Sequence, residues 1–384
     1  MRIVRVIAAL LLFLFLKWTP VQAQTDSCNL RISLLTCSPG EELYSAFGHT
    51  AIRVVDNATG ADIVFNYGTF DDADPIQFYK DFTKGLMYYE LSVSTYNEFA
   101  YEYSYFKRSV VEQVLQLSCA EKTAMFDALH QNVRPENKNY YYYFHQDNCT
   151  TRARDMIVRH ATRGVQFPNI LTDQSPSYRN LIHEYLDKGH QPWSKFGIDI
   201  LLGANIDKKV TNDQAMFLPD YLKKAFDNAS TGGQKLVIEE RTLLPAAPSA
   251  ETGSWFTPFT LFTTLFLLIA ALSFTQKAPG FLRIFDIGFF LLLGLLGTLL
   301  LVLWIIRVDD VCRNNWNLLW ALPTHLPVVF LLHRKKQWIK TYFTIVFVIT
   351  LLLAGTWFVI PQSLNIAIAP VLGIILVRSW FRRR

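Results

Sequence analysis

The last third of the chain constrains its fold more than any other feature. Beyond Ser254, five apolar stretches follow one another: Trp255 to Phe274, Ile284 to Ile306, Trp316 to Leu332, Thr341 to Ile360, and Leu364 to about residue 380. A helix needs roughly 20 mostly apolar residues to cross a bilayer, and five such runs in 130 residues exceed what a soluble core holds. Charge agrees with this reading. Residues 255–384 carry 12 Lys/Arg against 3 Asp/Glu, whereas the chain as a whole is only +5. A basic excess on the flanks of apolar segments is a membrane signature, while a nucleic-acid binder shows a basic stripe on its folded domain. No nucleic-acid partner is therefore expected. If the residues before 255 are exported, the connections alternate from inside to outside. The inside ones then hold Lys277, Arg283, Arg334, Lys335, Lys336, Lys340, Arg378 and Arg382 to Arg384, and the outside ones only Arg307 and Arg313. That asymmetry predicts an exported N-terminal domain and a cytoplasmic C-terminus.

The start of the chain has Arg2 and Arg5, an apolar run from Val6 to Leu16, and Val21-Gln22-Ala23, the pattern of a signal peptide cleaved after Ala23. The expected organisation is a signal peptide over 1–23, an exported domain over 24–242, a Pro- and Ala-rich linker over 243–254 and a membrane domain over 255–384. Within the exported part, Arg31 to Leu35 is a strand candidate. Thr50 to Val55 pairs with Ile63 to Tyr67 as a hairpin across Asp56-Asn57-Ala58-Thr59-Gly60. Thr95 to Lys107 has helical spacing and Val110 to Leu117 alternates like a strand. Ser118 with Glu121 forms a capping box for a helix from Ala120 to about Val133. Tyr140 to Phe144 reads as a strand, and Thr150 to about Arg159 as a helix announced by Asp147 and Asn148. The exported domain is thus expected to be α+β, and the membrane domain all-α with about five spans.

Cys149 falls in the first turn of that last helix, where unpaired N–H groups and the helix dipole stabilise a thiolate. His49 opens the first hairpin strand, with Gly48 allowing close approach, and Asn66 lies near the matching end of the partner strand. Together they supply a nucleophile, a base and an orienting group. Tyr67 and Asp147 are alternatives to Asn66. Cys37, before the polar stretch Ser38-Pro39-Gly40-Glu41-Glu42, is the alternative nucleophile. Four cysteines fall in the mature exported domain, Cys28, Cys37, Cys119 and Cys149, so two disulfides are the structural alternative. The functional reading expects Cys149 free and at most one bridge among the other three.

A histidine on a strand, followed much later by Asn-Cys at a helix start, resembles the circularly permuted, papain-like enzymes of the NlpC and lecithin retinol acyltransferase type. More closely, CSPGEELYSAFGHTAIRV (37–54), FNYGTFD (65–71) and DNCTTRARD (147–155), followed by several spans, resemble the Lnb-type lipoprotein N-acyltransferases. The resemblance implies a permuted papain-like fold in the periplasm above the bacterial inner membrane. It assigns Cys149 as nucleophile, His49 as base and Asn66 as orienter. The implied reaction carries a fatty acyl chain to the α-amine of the diacylglyceryl-modified N-terminal cysteine of exported lipoproteins. Lipoproteins and membrane lipids are the implied acceptor and donor. Thiol chemistry of this kind needs no metal or cofactor, and no His or Cys spacing suggests a zinc site. Two other functions fit parts of the sequence, a membrane-anchored cysteine hydrolase of cell-wall peptides and a non-catalytic envelope sensor or assembly module.

Several other residues have both a plain and a functional reading. Tyr140 to Tyr143 suit either a half-buried strand or a wall for acyl chains. Arg152 and Arg154 suit a lipid phosphate or an ion pair with Asp155. Asn317 and His325, polar groups within the third span, are functional candidates by default, or satisfy carbonyls freed by Pro323 and Pro327.

Overall fold

The computed structural model describes residues 28–70, 74–171, 175–246, 253–332 and 336–383. The signal peptide, residues 247–252 of the linker, Arg334, Lys335 and Arg384 lie outside the described residues.

Six strands and four helices build the part that carries the candidate site. Strand β1 (Leu30–Cys37) pairs antiparallel with β2 (His49–Asp56), and β2 pairs with β3 (Ala61–Thr69) across the anticipated turn. Helix α1 (Pro75–Lys84) and strand β4 (Met87–Thr95) follow, then α2 (Tyr96–Tyr105), β5 (Val110–Leu115), α3 (Cys119–Asn132), β6 (Asn139–Tyr142) and α4 (Cys149–His160). Helices α5 (Tyr178–Lys188), α6 (Pro192–Leu201) and α7 (Pro219–Asp227) precede a last strand, β7 (Val237–Leu244). The seven strands form one antiparallel sheet in the order β7-β5-β1-β2-β3-β4-β6. A small sheet over 165–166, 230–231 and 234–235 lies apart from it.

Alternation along the strands decides what each face covers. Ile32, Leu34, Ile52, Val54, Phe65 and Tyr67 point to the face packed by α3 and α4, where they join Met125, Leu129, Ala153 and Ile157. Leu35, Cys37, Ala51 and Val64 point to the other face, against Phe99 and Tyr103 of α2. The anticipated capping box is present, with the Ser118 hydroxyl accepting from the Glu121 N–H and the Glu121 carboxylate accepting from the Ser118 N–H at 2.8 Å. A disulfide joins Cys28 to Cys119, while Cys37, Cys149 and Cys312 are free thiols.

Beyond the sheet domain come α8 (Pro258–Phe274), α9 (Pro279–Ile306), the one-turn Trp316–Leu319, a short α10 (His325–Val329), α11 (Gln337–Gly355) and α12 (Ile368–Arg383). Of the described helices, α9 and α11 are long and apolar enough to cross a membrane by themselves, and α8 is a shorter apolar helix. The third anticipated span is not a continuous helix. Between Trp316 and Leu332 the chain makes one turn, bends, and makes a second short turn. Pro323 and Pro327 cannot donate to a helical ladder, which accounts for the break. Protein groups meet the polar side chains there: Asn317 Nδ2 donates to the Asp199 and Ile200 carbonyls, and Tyr342 Oη meets His325 Nδ1 at 2.8 Å, while His325 Nε2 is buried without a partner among the described residues. Irregular backbone at membrane depth requires this kind of protein partner.

Smaller differences have equally local causes. Leu243 and Leu244 belong to β7, paired with β5, so the connection to the membrane half begins after them. Cys37 ends β1, and the polar residues after it lead only into a short turn at Leu43–Ser45.

Candidate active site

The site is assembled at one end of the sheet, where the start of α4 meets the beginning of β2. Asn148 caps α4: its Oδ1 accepts from the Thr150 and Thr151 N–H groups, both at 2.9 Å, and its Nδ2 donates to the Phe144 and Phe217 carbonyls at 2.8 Å. Thr151 Oγ1 in turn accepts from the Asn148 N–H. The cap thus occupies the second and third N–H groups of the helix, leaving the Cys149 N–H as the first-turn donor it does not use.

His49 occupies the first position of β2. Gly48 before it has φ +80°, and a Cβ there would sit 2.7 Å from the Cys37 carbonyl oxygen, so the chain enters the strand this way only with glycine. His49 Nε2 lies 3.4 Å from Asn66 Oδ1, which leaves Nδ1 as the ring nitrogen for Cys149. The other two candidates for the orienting role are engaged elsewhere. Tyr67 Oη accepts from Asn132 Nδ2 at 2.8 Å, and the Asp147 carboxylate is held in a two-pronged pair by Arg152 at 2.7 Å.

The electrostatics of the two thiols near His49 differ sharply. Burial alone raises a thiol pKa. At Cys149 it is outweighed by the charge of His49, by a hydrogen bond with that ring, by the Thr50 backbone N–H and by the Thr150 hydroxyl, and the thiol is lowered to about 7. Burial also pulls the His49 imidazolium down, but the Cys149 charge and hydrogen bond hold it above the ordinary histidine value. At Cys37 burial prevails over the Arg108 charge and the Tyr103 hydrogen bond. Sealed beneath α2 with Tyr103 and Phe99, its thiol is pushed up to about 12 by burial.

Three further contacts were not anticipated from the sequence. Thr50 and Thr150 meet hydroxyl to hydroxyl at 3.1 Å, tying the strand to the helix start beside the thiol. Gly68 interrupts the β3–β4 pairing with φ +93°, and a Cβ there would meet the Cys149 Cβ at 3.4 Å. The Tyr142 ring, stacked on Tyr89 at 4.3 Å between centroids, lies beside the same point. A glycine inside an otherwise alternating strand is the one sequence signal that points here.

Of the remaining candidates, Arg152 and Arg154 take their plainer roles. Tyr140 to Tyr142 lie in β6, paired with β4. Arg152 lies over the Tyr140 ring at 3.4 Å while holding Asp147, and Arg154 pairs with Asp155 and the Asp213 carbonyl. Among the described residues no group of three or more His, Cys, Asp or Glu side chains is placed to hold a metal ion.

The chain is thus a membrane protein in which an α+β domain with a Cys–His pair at its sheet's end is seated on a helical part. Residues 17–184 match the family model of the Lnb N-terminal periplasmic domain, and residues 250–384 match that of the Lnb transmembrane domain. The chain belongs to the Lnb-type lipoprotein N-acyltransferase family, and its N-terminal region is periplasmic. No curated protein and no solved structure matches it.

Proposed function

We propose that this protein is a cysteine-dependent lipoprotein N-acyltransferase, with Cys149 as nucleophile, His49 as general base and acid, and Asn66 as the residue that orients the His49 ring. The observation that carries the reading is the Cys149 thiol, lowered to about 7 by His49 at a capped helix start. A nucleophile poised near neutrality beside its base is what acyl transfer needs. The Cys149 thiolate attacks a lipid ester carbonyl. The C–O bond breaks, the departing alkoxide takes the His49 proton, and an acyl-thioester remains on Cys149. The α-amine of the diacylglyceryl-modified N-terminal cysteine of a lipoprotein then attacks the thioester and loses a proton to His49. The C–S bond breaks, the thiolate returns, and the acyl chain is left in an amide. The oxyanion formed in each half calls for backbone donors, and the Cys149 N–H, outside the cap, is the nearest candidate.

The arrangement also favours a permuted papain-like domain, since the histidine strand precedes the cysteine helix in sequence. The proposed organisation is a signal peptide over 1–23, a periplasmic domain closing after Leu244, and a membrane domain from about 255 with a cytoplasmic C-terminus. The orientation is supported by Arg378 and Arg382, which pair with Asp286 near the start of α9. The other end of α9 lies against the sheet domain, where Val308 N donates to the Lys84 carbonyl.

The test is mass spectrometry of the N-terminal lipopeptide of a reporter lipoprotein. The host lacks its own N-acyltransferase and expresses the wild type, Cys149→Ser, or neither. One added amide-linked acyl chain with the wild type and none with Cys149→Ser is the expected result. An unchanged diacyl form, despite protein in the membrane, would sink the acyltransferase reading and direct attention to cell-wall peptide hydrolysis.

A further inference from the structure

Helix α1 is the element that neither the sheet core nor the site described above explains. Asp74 caps it, accepting from the Ile76 and Gln77 N–H groups. Around its circumference Ile76, Phe78, Tyr79 and Phe82 occupy one arc, while Gln77, Lys80, Asp81 and Lys84 occupy the other. In a soluble domain the apolar arc would face the core. Here Ile76 is 69% and Tyr79 68% exposed, and Phe82 is also exposed.

The position of α1 tells what covers that arc. Its last carbonyls are held by the end of the long apolar helix α9: Arg307 Nη1 donates to the Phe82 carbonyl, and Val308 N donates to the Lys84 carbonyl at 3.1 Å. The Arg307 guanidinium also lies 5.2 Å from the Phe82 ring. Helix α1 therefore sits at the level where α9 leaves the bilayer, with Ile76 and Tyr79 of its apolar arc largely exposed. An amphipathic helix at that level lies in the headgroup and acyl boundary.

The apolar arc also continues inward. Tyr79 touches Phe78, Phe78 touches Phe70 and Phe70 touches Tyr89, at centroid separations of 5.9, 5.9 and 5.1 Å. Tyr89 stacks on Tyr142, whose ring lies beside Gly68 and Cys149. An apolar series thus runs from the outer surface of α1 to the thiol.

We propose that α1 is an interfacial helix lying in the outer leaflet, and that the aromatic series from Tyr79 to Tyr142 is a binding site for the acyl chain of an outer-leaflet glycerophospholipid. The chain lies along these rings with its ester end directed at Cys149. Delivery to the thiol rests on the acyltransferase reading; occupancy of the series by lipid does not.

The test uses the full-length protein in vesicles of phosphatidylethanolamine and phosphatidylglycerol containing a trace of phosphatidylethanolamine with a diazirine in mid-chain. Peptides labelled on irradiation are mapped by mass spectrometry. Label is expected on the peptide spanning α1 and on those holding Phe70 and Tyr89, as well as on the membrane helices. In the double variant Ile76→Glu, Tyr79→Glu the label on the Phe70 and Tyr89 peptides falls about tenfold, as loss of two apolar contacts implies. Label on α9 and alkylation of Cys149 by iodoacetamide serve as checks on folding.

Label confined to the membrane helices would overturn the proposal. So would unchanged labelling of Phe70 and Tyr89 in the double variant, or labelling seen only with a diazirine-bearing diacyl lipopeptide. The two readings fail differently. Labelled α1 without an acyl-Cys149 species removes the enzyme mechanism, and acyl-Cys149 without labelled α1 removes the lipid site.

Discussion

At the residue scale the site turns on one charge relation. The His49 imidazolium is the largest influence favouring the Cys149 thiolate, with burial working against it. Alkylation of Cys149 by iodoacetamide should therefore rise with pH through a midpoint of about 7. The direction follows from the sign: a lowered thiol pKa means thiolate is already abundant at neutrality and is lost as pH falls through that value. Cys37, pushed up to about 12, and Cys312, pushed up to about 11, should stay unlabelled in the same experiment. In His49→Ala only the Thr50 N–H and the Thr150 hydroxyl are left to oppose burial, so the midpoint should move up, and labelling at pH 7 should slow about tenfold. An unmoved midpoint in that variant would mean that the helix start alone holds the thiolate, and His49 would lose its assigned part. Cys149 and His49 were legible because their signals are local, an Asn-Cys at a helix start and a Gly-His at a strand start. The choice of Asn66 over Tyr67 and Asp147 was not. It depends on pleat alternation, which turns Tyr67 to the α3 side and its hydroxyl to Asn132, and on the Asp147–Arg152 pair.

At the element scale α4 is anchored through Asn148, whose side chain both caps the helix and joins two separate segments, at Phe144 and Phe217. Two substitutions separate these duties. Asn148→Asp keeps an acceptor for the Thr150 and Thr151 N–H groups but loses the donors to the two carbonyls. Asn148→Ala loses both. Loss of a cap costs about 0.5–2 kcal/mol, and a buried carbonyl left without a donor costs about 1–3 kcal/mol. Thermal unfolding in detergent should therefore rank wild type above Asn148→Asp and Asn148→Asp above Asn148→Ala; equal stability of all three would show that Asn148 anchors nothing. The same scale shows why some elements could be read and others not. The hairpin, the capped α3 and the start of α4 carry turn residues and caps in the sequence itself. Helix α1 went unread although Asp74, Pro75 and Gly85 mark its ends in the sequence. The third span misled because hydropathy counts apolar residues and ignores where Pro323 and Pro327 withhold donors. The end of strand β7 was assigned to the linker because Leu243 and Leu244 are followed at once by Pro and Ala.

At the scale of the whole molecule the question is what holds the sheet domain at a fixed height above the membrane helices, since a site fed from a bilayer must keep its distance from it. The answer centres on Asp199, buried at the end of α6. Its Oδ1 accepts from Arg179 Nη1 at 2.8 Å and from His183 Nε2 at 2.7 Å, and its Oδ2 accepts from Asn365 Nδ2, a residue of the membrane half, at 2.8 Å. Around it the two halves exchange backbone bonds, Gly203 N to the Val311 carbonyl and Ala204 N to the Asn314 carbonyl, and Asn315 and Gln362 donate to the carbonyls of residues 200 to 202. Arg179 is fully buried and shares its charge between Asp199 and Asp207. Asp199→Asn removes one of these two charges and turns an amide donor toward a group that needs an acceptor. Breaking a buried pair from one side costs on the order of 3–5 kcal/mol. Burial works against the Asp199 carboxylate, but His183, Arg179 and Asn365 outweigh it and hold its pKa below the ordinary value. Its contribution is therefore present above the ordinary carboxylate range and lost as pH falls through the lowered value. The wild type should accordingly keep its junction at neutral pH and loosen only in acid, whereas Asp199→Asn should be loose at neutral pH already. Hydrogen exchange reads this directly at Gly203 and Ala204, whose amides cross the junction: fast exchange at pH 7 in the variant alone is the expected outcome. Equal protection in both proteins would mean that the backbone bonds alone hold the two halves together and that the buried charges merely fill the space between them.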